Sequence, residues 1–146
     1  MSWKLLFICS GNTCRSPLAA ALARQVFGGE VEARSAGLAA WEGQTASEHA
    51  VQVAGEYGES LLNHRAEPVR AELLQEADWI IPMTKSQQEH LIRLYPQYTG
   101  KIKYLGAWAD NRDVQDPWGG SLEKYRQTAS QIKVMLLCMK EQLANS

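Results

Sequence analysis

The sequence predicts a single α/β domain: a three-layer, doubly wound architecture with a parallel sheet of four strands and helices on both faces. Three observations carry that prediction. Short apolar runs of strand length alternate with amphipathic helical stretches, so right-handed crossovers between parallel strands are the natural connection. The chain has 146 residues, 45% of them hydrophobic, which suits one core of ordinary size. No repeat, low-complexity tract or linker divides it, so residues 1–146 read as one domain.

The elements follow in order. Lys4–Ile8 carries a continuous apolar run, as a central strand buried on both faces should. Pro17–Phe27 sets Leu18, Ala21, Leu22 and Val26 on one helical face, with Pro17 suited to a first turn and Gly28-Gly29 to a stop. Val31–Ser35 alternates as a strand does. Ser47–Tyr57 reads as a helix with Ala50, Val51, Val53 and Ala54 apolar, ended by Gly58. Ala71–Gln75 is a short helix leading into Trp79–Met83, a buried strand. Lys85–Leu94 is helical and stops before Pro96, and Ile102–Leu105 is the fourth strand. Ser121–Leu143 is a long final helix with Ile132, Met135, Leu136 and Met139 on its apolar side.

Composition excludes several classes of function. Lys+Arg at 15 against Asp+Glu at 16 leaves a formal charge of -1, with no electrostatic footprint for nucleic acid. The longest apolar run is too short for a membrane span. "WKLLFIC" is cut short by Ser10-Gly11-Asn12-Thr13 and lacks a small-residue cleavage site, so a cytoplasmic protein is expected. Cys9, Cys14 and Cys138 make an odd set, unlike a secreted disulfide framework. Cys138 lies in "IKVMLLCMKEQL", where helical periodicity buries it as a small core residue. Cys9 and Cys14 lack metal-ligand spacing, and His49, His64 and His90 are scattered, so no metal is expected.

Chemistry concentrates between the first strand and the first helix, at the strand's carboxyl end, where ligands bind in such sheets. There "CSGNTCRS" spells C-x5-R from Cys9 to Arg15, followed by Ser16. A loop wrapped between a strand end and a helix start turns several backbone N–H groups inward, making a nest for an anion. Ser10, Gly11, Asn12, Thr13, Cys14, Arg15 and Ser16 would form that phosphate cradle. Gly11 supplies a conformation other residues disfavour, and Asn12 tolerates left-handed geometry. Arg15 can grip two phosphoryl oxygens with its planar fork. The helix terminus and the guanidinium favour a thiolate at Cys9, and Ser16 can donate a hydrogen bond to it. Attack of that sulfur on phosphorus gives a cysteinyl-phosphate. The pattern alone arises by chance in many chains, but strand, helix, Gly and Ser around it sharpen it. No Lys-Ser/Thr pair ends the loop, so it is not a Walker A site.

A leaving oxygen or nitrogen needs a proton. "DVQDPWGGS" offers Asp116 before Pro117, with Gly119-Gly120 turning the chain and Ser121 capping the last helix. An Asp-Pro turn is the plain reading. Trp118, an aromatic on the same loop, favours Asp116 as the donor, with Asp113 as its competitor.

Together "CSGNTCRSP", "RSAG" at Arg34–Gly37, "EADWIIPMT" and "DPWGGS" resemble the low-molecular-weight protein-tyrosine phosphatase family along the whole chain. The resemblance implies a flavodoxin-like fold without cofactor or metal. Cys9 would be the nucleophile, Arg15 the clamp, and Asp116 the general acid and then the base that activates water. Asn12 and Ser35 resemble the pair that holds the loop's strained backbone, and His64 either joins them or is a surface histidine. Phosphorylated proteins are the implied partners, with no nucleic acid or membrane, and a monomer is the default state.

Tyrosine-specific members carry a bulky aliphatic residue where this chain has Thr13, and two aromatics after Asp-Pro. Here Trp118 is followed by glycines, which resembles the protein-arginine phosphatase branch. A threonine hydroxyl can accept a guanidinium N–H that an aliphatic wall would leave unpaired. Thr13 as a packing residue is the plainer alternative, and Trp41 and Trp118 could flank a phenyl ring as well as a guanidinium. Phosphoarginine is therefore favoured over phosphotyrosine by one residue. An arsenate reductase would want more relay cysteines, a phosphocysteine carrier would not need Arg15 or Asp116, and a binding module would be expected to lose Cys9 or Asp116. Cys14 is either a partner for Cys9 in a protective disulfide or a residue packed under the loop.

Overall fold

The structure, a computed structural model, describes residues 2–145. Its centre is β1 (Trp3–Cys9), paired in parallel with β2 (Val31–Gly37) on one edge and β3 (Trp79–Pro82) on the other. Period-2 alternation divides β1 between two cores. Leu5, Phe7 and Cys9 face a layer built by α1 (Arg15–Phe27), α2 (Glu48–Glu56) and α5 (Leu122–Ala144). Leu6 and Ile8 face the opposite layer, built by α3 (Ala71–Glu76) and α4 (Lys85–Leu94). A strand buried on both faces must read as a continuous apolar run, and "LLFI" does.

Helix α1 is buried from Arg15 to Ala23, sandwiched between the sheet and α5. Ala19, Ala20, Ala21 and Ala23 keep it thin enough for both neighbours to approach. Each fully buried leucine, such as Leu18 or Leu22, contributes about 1.5–3 kcal/mol of burial energy. Ser47, Thr84 and Ser121 cap α2, α4 and α5 by accepting from the N–H groups of Ala50, Gln87 and Lys124. Among the described residues, no helix is long and apolar enough to cross a membrane.

Two expectations need correction. The fourth strand, Ile102–Leu105, shrinks to one parallel bridge between Ile80 and Ile102, leaving a three-stranded sheet. Lys103 N still bonds to Ile80 O at 3.0 Å, but Tyr104 N turns to Gln88 Oε1 at 2.9 Å. The chain then coils through a 3-10 turn, Leu105–Trp108. Gly106 permits that coil, because a Cβ there would stand 1.7 Å from Arg112 O. Cys138 is half-buried rather than in the core, since Met135, Leu136 and Met139 take the inward positions of α5.

Candidate active site

Cys9 closes β1 and Arg15 opens α1, so the loop between them is pinned at both ends by the core. Unlike the N-cap residues of α2, α4 and α5, the N-cap residue of α1, Cys14, makes no side-chain cap. The first turn of α1, like that of α4, holds no acidic residue. The free N–H groups and the positive end of the helix dipole therefore face the loop's interior.

That interior opens into a cavity of about 420 Å³. Its floor is Cys9, Ser10, Gly11, Thr13, Cys14 and Arg15, and Trp41, Gln44, Asp116 and Trp118 are among its walls. Cys9 Sγ meets two donors. Asn12 N–H reaches it at 3.3 Å, and Ser16 Oγ lies 2.9 Å away. Ser16 Oγ in turn accepts from Asn12 Nδ2 at 2.9 Å, so its own proton is free to point at the sulfur. An arrangement with two donors aimed at one sulfur suits its anionic form.

Asn12 carries the loop's strain at φ 57. It is wholly buried beneath the cavity, as is Ser16, so neither side chain lines it. Asn12 Oδ1 accepts from Glu67 N at 3.0 Å, and His64 Nε2 lies 2.7 Å from Asn12 O. Only a protonated Nε2 can meet a carbonyl there, which fixes the tautomer of His64. Ser35 does not join this network. It pairs with Phe7 in β2, two residues short of the loop, and the place expected for it is taken by the Glu67 N–H. Gly11 is not the left-handed residue either, and a Cβ there would meet only Thr13 Oγ1 at 3.7 Å. The glycine that the loop needs is Gly37, where a Cβ would stand 2.6 Å from Ser10 O and 3.0 Å from Asn12 Cβ.

Arg15 is 7% exposed, its Nη1 donating to Val114 O at 3.2 Å and its Nη2 standing 3.6 Å from Asp116 Oδ2. Asp116 also accepts from Trp118 N at 3.1 Å, a local turn that faces its carboxylate toward the cavity mouth. Asp113 is occupied elsewhere, accepting from Lys85 N at 2.8 Å in the first turn of α4. Trp41 and Trp118 stand 81% and 76% exposed beside the opening. Cys14 Sγ points away toward α5, 3.3 Å from Tyr125 Oη and 3.5 Å from Ser47 Oγ. Burial, and then the bond to Cys14, push the Tyr125 hydroxyl up to about 12. Among the described residues, no cluster of His, Cys, Asp and Glu could hold a metal ion.

Residues 4–146 match the family model for low molecular weight phosphotyrosine protein phosphatase. The chain belongs to this family. It is 35% identical over 144 residues to a protein-arginine-phosphatase of Bacillus subtilis, covering 95% of each chain. It is also 36% identical over 122 residues to the tyrosine phosphatase Wzb of Salmonella typhimurium, covering 84% of this chain and 81% of that one. The solved YwlE arginine phosphatase of Geobacillus stearothermophilus superposes with a TM-score of 0.91 at 33% identity, over 98% of this chain and 94% of that one.

For a phosphatase of this family, several supporting residues escape a reading of the sequence. Gln87 is buried in α4, where its Oε1 accepts from Met83 N at 3.0 Å and Thr84 N at 3.2 Å. Its Nε2 donates to Ser10 Oγ at 3.3 Å and so steadies the phosphatase loop from below. The spacing Thr84-x-x-Gln87 is a capping-box signature that could have found it. Nothing in the sequence marks Gln44 or the Glu67 N–H, and Gly37 stands out only as the last residue of "RSAG".

Proposed function

We propose that this phosphatase removes the phosphoryl group from phosphoarginine in proteins. The observation that carries the reading is Thr13, a hydroxyl on the cavity floor whose one nearby partner is Cys14 Sγ, at 3.7 Å. A guanidinium entering the cavity would find an acceptor there and the carboxylate of Asp116 opposite. The names of the Bacillus and Geobacillus relatives support the same substrate.

In the first half of the reaction the phosphoryl oxygens lie in the nest of loop N–H groups, with Arg15 across them. Cys9 Sγ attacks in line, the P–N bond breaks, and Asp116 gives its proton to the departing guanidine nitrogen. In the second half water attacks the cysteinyl-phosphate while Asp116 takes its proton. Cys9 leaves as a thiolate, received by the Asn12 N–H and the Ser16 hydroxyl. The products are arginine and inorganic phosphate, and no redox change occurs. Three free thiols, one of them the nucleophile, suit a reducing compartment such as the cytoplasm.

A second reading, phosphotyrosine, is favoured by Trp41 and Trp118, whose exposed rings could sandwich a phenyl group. Measuring kcat/KM on one peptide sequence carrying either phosphoarginine or phosphotyrosine separates the two. A higher value for phosphoarginine is expected, and faster cleavage of phosphotyrosine would overturn the assignment.

A further inference from the structure

Asp116, in the wall of the cavity, ends a strap formed by residues 113–116. The strap is tied to the core at Val114, which is 1% exposed. Val114 N donates to Met83 O at 2.9 Å, and Val114 O accepts from Arg15 Nη1 at 3.2 Å. The two residues flanking Val114 are held by a single side chain on α5. Gln131 Nε2 donates to Asp113 O at 3.0 Å, and Gln131 Oε1 accepts from Gln115 N at 3.1 Å.

We propose that Gln131 is a positioning residue for the proton-transfer step, holding the strap so that the carboxylate of Asp116 reaches the leaving group. Both polar ends of its amide are spent on the strap, one on each side of the residue that also holds Arg15. This two-point hold removes the rotation of the Asp113 and Gln115 peptides that would swing Asp116 along or away from the cavity mouth. Asp116 itself is more than half exposed, and its side-chain ion pair with Arg15 is long at 3.6 Å. Its position therefore comes from the backbone that Gln131 fixes, more than from contacts of its own. Thr128 Oγ1, 3.5 Å from Gln115 O on the same face of α5, adds a weaker third tie. No other glutamine chemistry replaces this one: glutamate can accept from Gln115 N but cannot donate to Asp113 O, and methionine fills the same space while doing neither.

The inference rests on the reading of Asp116 as the acid, and the test separates the two. Turnover is measured on phenyl phosphate, whose leaving group needs a proton, and on 2,4-dinitrophenyl phosphate, whose leaving group does not. Gln131→Met, Gln131→Glu and Asp116→Asn are compared with the wild type, together with inhibition by inorganic phosphate. A misplacement of about 1 Å costs up to roughly 10²-fold, so Gln131→Met should lose about tenfold or more in kcat/KM on phenyl phosphate, which reports the leaving-group step and not the later hydrolysis that both esters share. Its kcat/KM on the dinitrophenyl ester and its phosphate inhibition should stay within about twofold of wild type, with Gln131→Glu between the two. Adding Gln131→Met to Asp116→Asn should cost nothing more. Equal losses on both esters, or no loss, would make Gln131 a structural residue only and overturn the proposal. If Gln131→Met does not fold, the same comparison on Gln131→Glu decides it. If instead Asp116→Asn loses equally on both esters, the acid assignment itself fails, whatever Gln131 does.

Discussion

Ser16 Oγ lies 2.9 Å from Cys9 Sγ, and at the same distance accepts from Asn12 Nδ2. The asparagine thereby orients the serine, and the serine's proton goes to the sulfur. A hydrogen bond to a charged group is worth about 1.5–3 kcal/mol. Ser16→Ala should therefore slow turnover by roughly 10–100-fold, most of all in the release of phosphate from Cys9. Rapid-quench measurement should find the phosphoenzyme accumulating in the variant. A variant with wild-type steady-state and burst kinetics would show that Asn12 N–H suffices.

Asp116→Asn keeps the local turn to Trp118 N within reach of the amide oxygen but removes the transferable proton. Turnover of phosphoarginine peptide should fall by the roughly 10²–10⁴-fold typical of a lost general acid. Inhibition by inorganic phosphate should change little. A matching drop in phosphate affinity would assign Asp116 to binding instead.

Thr13→Ile replaces the hydroxyl on the cavity floor with an apolar wall. Preference should move from phosphoarginine toward phosphotyrosine, read as the ratio of kcat/KM for the two peptides. The missing acceptor should cost phosphoarginine about 1–3 kcal/mol, or roughly 5–150-fold. An unchanged ratio would return Thr13 to a packing role.

Tyr125 gives the fold an alkaline limit. Below about 10 the phenol is protonated in folded and unfolded chains alike, and its contribution is fully present. Between the ordinary tyrosine value near 10 and the folded value of about 12, the unfolded chain loses the proton first, so stability falls with rising pH. The full step is on the order of 2 kcal/mol. Urea midpoints at pH 9 and pH 11.5 should converge between wild type and Tyr125→Phe as pH rises. A constant gap across that range would place the effect elsewhere.

Cys14 shares the cavity floor with Cys9 while its sulfur is engaged by Tyr125 and Ser47. Peroxide converts a thiolate to a sulfenic acid, losing two electrons from sulfur, and a neighbouring thiol closes it to a disulfide with loss of water. After peroxide and then dithiothreitol, wild type should recover activity that Cys14→Ser does not. Mass spectrometry of the oxidised wild type should find Cys9 joined to Cys14. Equal recovery in the two proteins would make Cys14 a packing residue.

The parts of the fold set by local chemistry were legible in the sequence. The run "LLFI", the cap Ser121 and the stop at Gly58 are each properties of a few adjacent residues. The fourth strand was not legible, because its loss depends on Gln88 Oε1 capturing Tyr104 N from another element. The site divides in the same way. Cys9, Arg15 and Ser16 belong to one loop and declare themselves by spacing. The steric need for Gly37 and the Glu67 N–H on Asn12 exist only once β2 and the segment after His64 are brought beside the loop. Ser35 failed as a partner because register, which sequence does not show, stops it two residues short.

The alternation of β1 between two cores has a consequence for how this protein loses activity. Phe7 and Ile8, both 0% exposed, occupy opposite cores, and Cys9 follows them directly. Leu38 N and Ala39 N tie the carbonyls of Cys9 and Ser10 to the end of β2. Amide protons at the base of the loop should therefore exchange with solvent only when the whole domain opens. In rising denaturant, loss of catalysis and loss of tertiary structure should follow one curve. Under denaturant the nucleophile has no separate way to fail.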